Sequence, residues 1–233
     1  KNSLPFGGLQ IILCGDFFQL PPVSKDEEET GFVIQSRVWQ ELNLKICYLD
    51  EQFRQTDNEF LRILNTIRRN EADQVILELL MTRHNKKVTA DSVATKLYTH
   101  NIDVDVINNS ELAKIRGKSK TYAMTYNGNE NLVKSLKNGC LAPEQLVLKK
   151  GAAVMFVKNN FDKGYVNGTL GTVIDFDDEG YPIVITSSLK EIHVRPSSWT
   201  IIEDDYILAE ISQLPLRLAW AITVHKSQGM SLD

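Results

Sequence analysis

The chain has 233 residues, with 26 lysines and arginines against 30 acidic residues and a formal charge of −4. That length suits one large or two modest domains. The mild acidity excludes an all-over basic footprint but leaves room for a local basic groove. Three cysteines (Cys14, Cys47, Cys140) and four scattered histidines show no zinc-ligand spacing and no disulfide framework. This fits a reducing, intracellular compartment, and no signal peptide or long apolar span points to a membrane.

Leu9-Gln10-Ile11-Ile12-Leu13-Cys14 is a short apolar run next to glycines, the pattern of a strand buried on both faces of a parallel sheet. Gly15-Asp16-Phe17-Phe18-Gln19-Leu20-Pro21-Pro22-Val23 follows. Ligands gather at the carboxyl ends of such strands, and the two prolines stiffen the exit. Asp16 and Gln19 are therefore expected on a rigid loop at the sheet edge used for chemistry. The acidic run Asp26–Glu29 reads as a solvated connection. Ser36 is placed to cap a short helix carrying Val38, Trp39 and Leu42. Lys45–Leu49 reads as another buried strand, and Thr56-x-x-Glu59 as a capping box opening a helix with Phe60, Leu61, Leu64 and Ile67 on its apolar side. Arg54 lies in the turn between these two, where a guanidinium suits either a phosphate or a surface pairing with Asp50 or Glu51.

A helix is expected over about 72–81, then a polar linker at 83–87 and a domain boundary near residue 85. Lys96–Asn101 reads as a short strand with Thr99, His100 and Asn101 at its carboxyl edge. Asp103 is the expected cap of the next helix, which runs to about Gly117. His100 fits a packed, hydrogen-bonded residue as well as a ligand contact. The basic cluster Lys114–Lys120 is read as a solvated helix end, where cations complement the dipole. Thr121–Tyr126 alternates as a strand, and 131–136 is a short helix.

From about residue 145 strand-like runs shorten and turn residues recur, as in a small antiparallel barrel. The glycines of Asn167-Gly168-x-x-Gly171 are read as turn residues with positive φ, and Tyr165 and Trp199 as buried aromatics. Leu218–Val224 is a buried run leading into His225-Lys226-Ser227-Gln228-Gly229, a strand-to-helix junction suited to an anion.

Gly15–Val23 resembles motif III, and Thr223–Gly229 motif V, of superfamily 1 DNA helicases of the PIF (petite integration frequency) and RecD-like branch. Glu51-x-Phe53-Arg54-Gln55 resembles motif IV, and Asn167-Gly168-x-x-Gly171 the entry to the SH3-like insertion. The strings follow the family's order along the whole chain. The resemblance implies an α/β fold with RecA-like parallel-sheet domains. Residues 1–85 would be the rear of the first, 86–144 and 200–233 the second, and 145–199 an inserted SH3-like barrel. It implies ATP-driven 5′→3′ translocation on single-stranded DNA. Gln19 and Arg54 would sense the γ-phosphate, Asp16 would support the motif III loop, and Gln228 and Gly229 would lie toward ATP. Thr99, His100, Asn101, Thr223, His225 and Lys226 would lie toward DNA. No metal ligand is assigned. The family's Gly-x-x-x-x-Gly-Lys-Ser/Thr loop is nowhere in the chain. ATP and Mg2+ would then depend on a segment before Lys1, the missing N-terminal half. The final arginine motif would follow Asp233, and both ends read as cut. These 233 residues alone are expected neither to hydrolyse ATP nor to unwind DNA. The alternative is a nucleic-acid-binding or interaction module from a split helicase gene, and an RNA-directed relative has the same sequence signature.

Overall fold

The computed structural model describes residues 5–20, 32–53, 57–86 and 95–228, and divides into two compact units, Lys1–Asn85 and Lys86–Asp233.

Among its described residues the first unit is helical wherever it is regular. Helix α1 (Arg37–Glu41) starts at Ser36, whose hydroxyl accepts from the Trp39 amide at 3.1 Å. Helix α2 (Asn58–Arg68) starts at Asp57, whose carboxylate accepts from the amides of Glu59 and Phe60 at 2.9 and 3.0 Å. Asp57 is therefore the cap expected of Thr56, which lies outside the described residues. An aspartate at the N-cap also complements the helix dipole. Helix α3 (Gln74–Met81) is capped by Asp73, which accepts from the Ile76 amide at 3.0 Å.

Two expected strands do not form. Leu9–Cys14 and Lys45–Leu49 are irregular and exposed, with Ile12 at 84% and Leu49 at 92%. The reason is pairing. A parallel strand acquires its structure from ladder partners and from layers on both faces, and the described residues of this unit contain no strand to pair with. Cys14 and Cys47 are exposed with these runs.

The second unit holds the ordered sheets. In chain order it comprises β1 (Lys96–Tyr98), α4 (Asn101–Lys114), β2 (Lys120–Ala123), β3 (Thr125–Gly128), α5 (Glu130–Gly139), β4 (Gln145–Leu148), β5 (Ala153–Phe156) and β6 (Leu170–Phe176). These are followed by β7 (Pro182–Thr186), β8 (Glu191–His193), β9 (Ser197–Glu203), β10 (Tyr206–Gln213), β11 (Leu216–Leu218), β12 (Ala221–Thr223) and α6 (Val224–Ser227). Among the described residues β1 and β12 form a parallel pair and the other strand pairings are antiparallel, in a five-stranded sheet β11-β5-β6-β7-β8, a three-stranded sheet β3-β10-β9 and a pair β2-β4. The class is α/β with parallel and antiparallel sheets. The β9–β10 hairpin spans residues 197–213 and the β2–β4 pair joins 120–123 to 145–148. The first runs across residues 199/200 and the second joins residues on either side of 144/145, the two boundaries expected from the sequence.

The main core lies within the antiparallel part, around Leu146, Leu148, Val154, Phe156, Leu214 and Leu216. Gln213 ties it together. Its buried side-chain amide donates to the carbonyls of Tyr122, Pro143 and Glu144 at 3.0–3.3 Å, and its carbonyl accepts from the Leu214 amide at 2.9 Å. Gly168 has φ 101°, as a turn glycine should. Gly171 instead lies within β6, where a Cβ would meet Val184 Cγ1 at 2.6 Å and the Ile185 carbonyl oxygen at 2.7 Å. It is glycine because a neighbouring strand passes close, a common reason for glycine inside a strand.

Candidate functional site

In the first unit the loop that follows Cys14 is held by its acid. Asp16 accepts two hydrogen bonds from the Arg68 guanidinium, Nη1 to Oδ2 at 3.0 Å and Nη2 to Oδ1 at 2.8 Å, and one from the Phe18 amide at 3.0 Å. The guanidinium also lies 4.5 Å from the centroid of the Phe18 ring. The Gln19 amide donates to the Asp16 carbonyl at 3.1 Å, closing a tight turn, and the Gln19 side chain is exposed. The Arg68 hydrogen bonds, then the Phe18 amide, hold the Asp16 carboxyl below the usual carboxylate range against a smaller effect of burial. Arg68 was not anticipated; its signal was a cation in the last turn of a helix. Arg54 lies outside the described residues.

This pairing gives a pH prediction. A carboxyl whose folded pKa is depressed stabilises the fold above its unfolded pKa, and that contribution is lost as pH falls through the folded value. In Arg68→Ala the Asp16 carboxyl should titrate back toward the ordinary range, near pH 4, as followed by carbon-detected NMR. An unchanged midpoint would show that Arg68 does not govern this carboxylate.

In the second unit the parallel pair fixes the geometry. The register aligns Lys96 with Ala221, Leu97 with Ile222 and Tyr98 with Thr223. Both strands therefore end at one carboxyl edge, and each runs into a helix there, α4 from Asn101 and α6 from Val224. Strand β12 is held from beneath by α4. The buried Asn108 side chain donates from Nδ2 to the Ala221 carbonyl at 2.9 Å and accepts at Oδ1 from the Ala221 amide at 3.0 Å. Val104, Asn108 and Leu112 recur every four residues and make the buried stripe of α4.

At this edge Thr99 Oγ1 and His100 Nδ1 are 2.9 Å apart, and both residues are exposed. His100 occupies the N-cap position of α4 without a side-chain cap. Asp103, the expected cap, lies inside the first turn with Oδ2 4.0 Å from His100 Nδ1. Asn101 is the first residue of α4. Thr223 is buried, 2% exposed, and its hydroxyl accepts from the Lys226 amide at 3.3 Å. It shapes the turn, whereas His225 is exposed and Lys226 half-buried beside it. Burial, then the charge of Arg217, pushes the Lys226 ammonium below its ordinary range, and Asp105 opposes the shift. Gln228 is exposed just past α6, and Gly229 lies outside the described residues. The structure thus brings Thr99, His100, Thr223, His225 and Lys226 to one edge, with Asp16 and Gln19 in the other unit.

Comparison with known proteins gives the following. The family model of PIF1-like helicases matches residues 1–89, and that of the 2B domain of DNA helicase Pif1 matches residues 131–176. The ATP-dependent DNA helicase Pif1 of Psychrobacter sp. (strain PRwf-1) is 36% identical over 295 residues, covering 100% of this chain and 44% of that protein. The crystal structure of Bacteroides sp Pif1 in complex with ADP-AlF4 superposes with a TM-score of 0.83 at 32% identity, covering 98% of this chain and 56% of that one. The Bacteroides Pif1 helicase in complex with ADP-AlF3 and ssDNA gives a TM-score of 0.56 at 32% identity, covering 99% and 56%. This chain therefore spans under half the length of that Psychrobacter protein.

Proposed function

The chain belongs to the PIF1-like helicase family, and on that premise we propose that it is a segment of an ATP-dependent DNA helicase that moves 5′→3′ along single-stranded DNA. The observation that carries this reading is the shared carboxyl edge of β1 and β12, which sets Thr99 and His100 beside Val224–Lys226. His225 and Lys226 face the DNA backbone, with Thr99, His100 and Asn101 flanking them. Thr223 holds the turn that presents them. In this reading residues 1–85 are the rear of the first RecA-like domain. The second RecA-like domain is built from β1, α4, β12 and α6, and the strands between α4 and β12 form the insertion, with its SH3-like part around β5–β8. The match of the 2B domain to residues 131–176 supports an insertion that begins before residue 145.

Gln19, Arg54, Gln228 and Gly229 are assigned to ATP, with Asp16 and Arg68 fixing the loop that carries Gln19. ATP phosphates need a cradle and Mg2+ needs oxygen ligands. The 233 residues contain no Gly-x-x-x-x-Gly-Lys-Ser/Thr loop, and the described residues contain no group of three His, Cys, Asp or Glu able to hold a metal. Both tasks are assigned to the rest of the longer protein, as its extra length in the relatives allows, and this chain alone turns over no ATP. The same missing part supplies strands beside Leu9–Cys14 and Lys45–Leu49. No helix among the described residues is long and apolar enough to cross a membrane; a motor of this kind works where the DNA is, in the nucleoid, cytoplasm or nucleus.

The test is a titration of the chain with single-stranded DNA, duplex DNA and RNA at about 50 and 200 mM salt. Phosphate contacts make affinity fall steeply between those concentrations. Salt-sensitive binding that favours single-stranded DNA is expected. No binding at the lower salt would overturn the assignment of the edge to DNA.

A further inference from the structure

Arg217 is an arginine in the middle of a buried strand. It lies in β11 opposite Met155 and is 8% exposed. Its Nε is buried and has no hydrogen-bond partner among the described residues. A buried Nε–H without an acceptor is costly, because its water has been removed and the guanidinium does not give up its proton. The side chain lines a cavity of about 310 Å³ between α4, β4 and β11. Asn108 and Arg217 form its buried part, whereas Asp105 and Asn109, also in the lining, are exposed residues on α4 and mark its opening. Gln145 adds a further polar side chain.

The charges limit what can enter. Arg217 and Asp105 cancel formally, and Lys226 is close enough for its charge to act with theirs. The local surplus is one positive charge, which matches a monoanion better than a dianion. A backbone phosphodiester carries one negative charge and presents two oxygens suited to the fork of a guanidinium.

We propose that this cavity is a binding site for one backbone phosphodiester of single-stranded nucleic acid, with Arg217 donating to it, next to the edge that carries Lys226. The proposal rests on the assignment of that edge to the DNA strand. It adds a contact that the motif itself does not contain and extends the path of the strand from α6 toward the junction of α4 with the insertion.

The experiment measures binding of an oligo-dT probe to the full 233-residue chain by fluorescence anisotropy at several salt concentrations. It compares wild type, Arg217→Gln and Lys226→Ala. Arg217→Gln should weaken binding about three- to tenfold at low salt and reduce the slope of log affinity against log salt by about 0.7, the value for one phosphate contact on a single strand. If Lys226→Ala weakens binding and Arg217→Gln does not, the cavity proposal is overturned while the edge assignment stands. If neither variant weakens binding, the edge assignment fails and the cavity proposal with it. Because Arg217→Gln alters a buried residue, the wild-type chain gives an independent readout. The Arg217 Nε–H resonance should shift on adding oligo-dT, and more weakly on adding dimethyl phosphate alone. A resonance unmoved by saturating oligo-dT would also overturn the proposal.

Discussion

Phe156→Ala should lower the unfolding free energy of the Lys86–Asp233 unit by about 3–5 kcal/mol. Phe156 is fully buried in β5, within the main apolar cluster of the described residues. Its ring stacks on Tyr165 with centroids 4.1 Å apart and planes inclined by 24°. Its backbone accepts from the Gly168 amide and donates to the Thr169 carbonyl, each at 2.9 Å, so the turn leading into β6 is tied to the same residue. Truncation removes buried apolar area and leaves a cavity whose walls are strands on several sides, a site with little capacity to collapse. Urea denaturation followed by circular dichroism measures the loss. Phe156→Leu, which retains most of the volume, should cost about 1.5 kcal/mol or less. Equal losses for the two variants would contradict an account based on a cavity and a lost ring contact.

Asn108→Ala should cost about 2–4 kcal/mol, because it strips partners from two buried backbone groups of one residue. Both bonds go to Ala221, the first residue of β12. The parallel pair has three residues in each strand, so it has few other bonds to hold its register. The loss should therefore reach function as well as stability. Thr223 and Lys226 follow directly in the chain, and single-stranded DNA binding should weaken even where the variant remains folded. A variant with reduced stability and unchanged DNA affinity would separate the clasp from the edge it supports.

The parts of the fold that were legible in the sequence are those whose pattern is local. β7 alternates buried and half-buried along Pro182–Thr186, and turn residues separate it from its neighbours. Ser36 caps α1 because its hydroxyl is three residues before the amide it serves. What was not legible depends on which strands pair. The apolar run Leu9–Cys14 has strand chemistry, yet with no strand to pair with among the described residues of its unit it is irregular. Thr121–Tyr126 reads as one strand, but it divides at Met124 between two sheets. Leu218–Val224 likewise divides, with Leu218 ending β11, Ala219 donating its amide to the Ala153 carbonyl at 2.9 Å, and β12 beginning at Ala221. The motif strings named the edge, whereas the groups that hold it were found only in three dimensions. Asn108 in a helix interior, where asparagine is disfavoured, and Arg217 in an apolar strand were the available signals.

The central claim is that single-stranded DNA runs over the edge where β1 and β12 end. Hydrogen exchange of the full 233-residue chain, with and without saturating oligo-dT and read peptide by peptide, tests it directly. The account predicts slowed exchange in the peptides covering residues 98–104 and 221–228, with β7 and β8 unaffected. Unchanged exchange in both of those peptides, with protection confined to other parts of the chain, would contradict it.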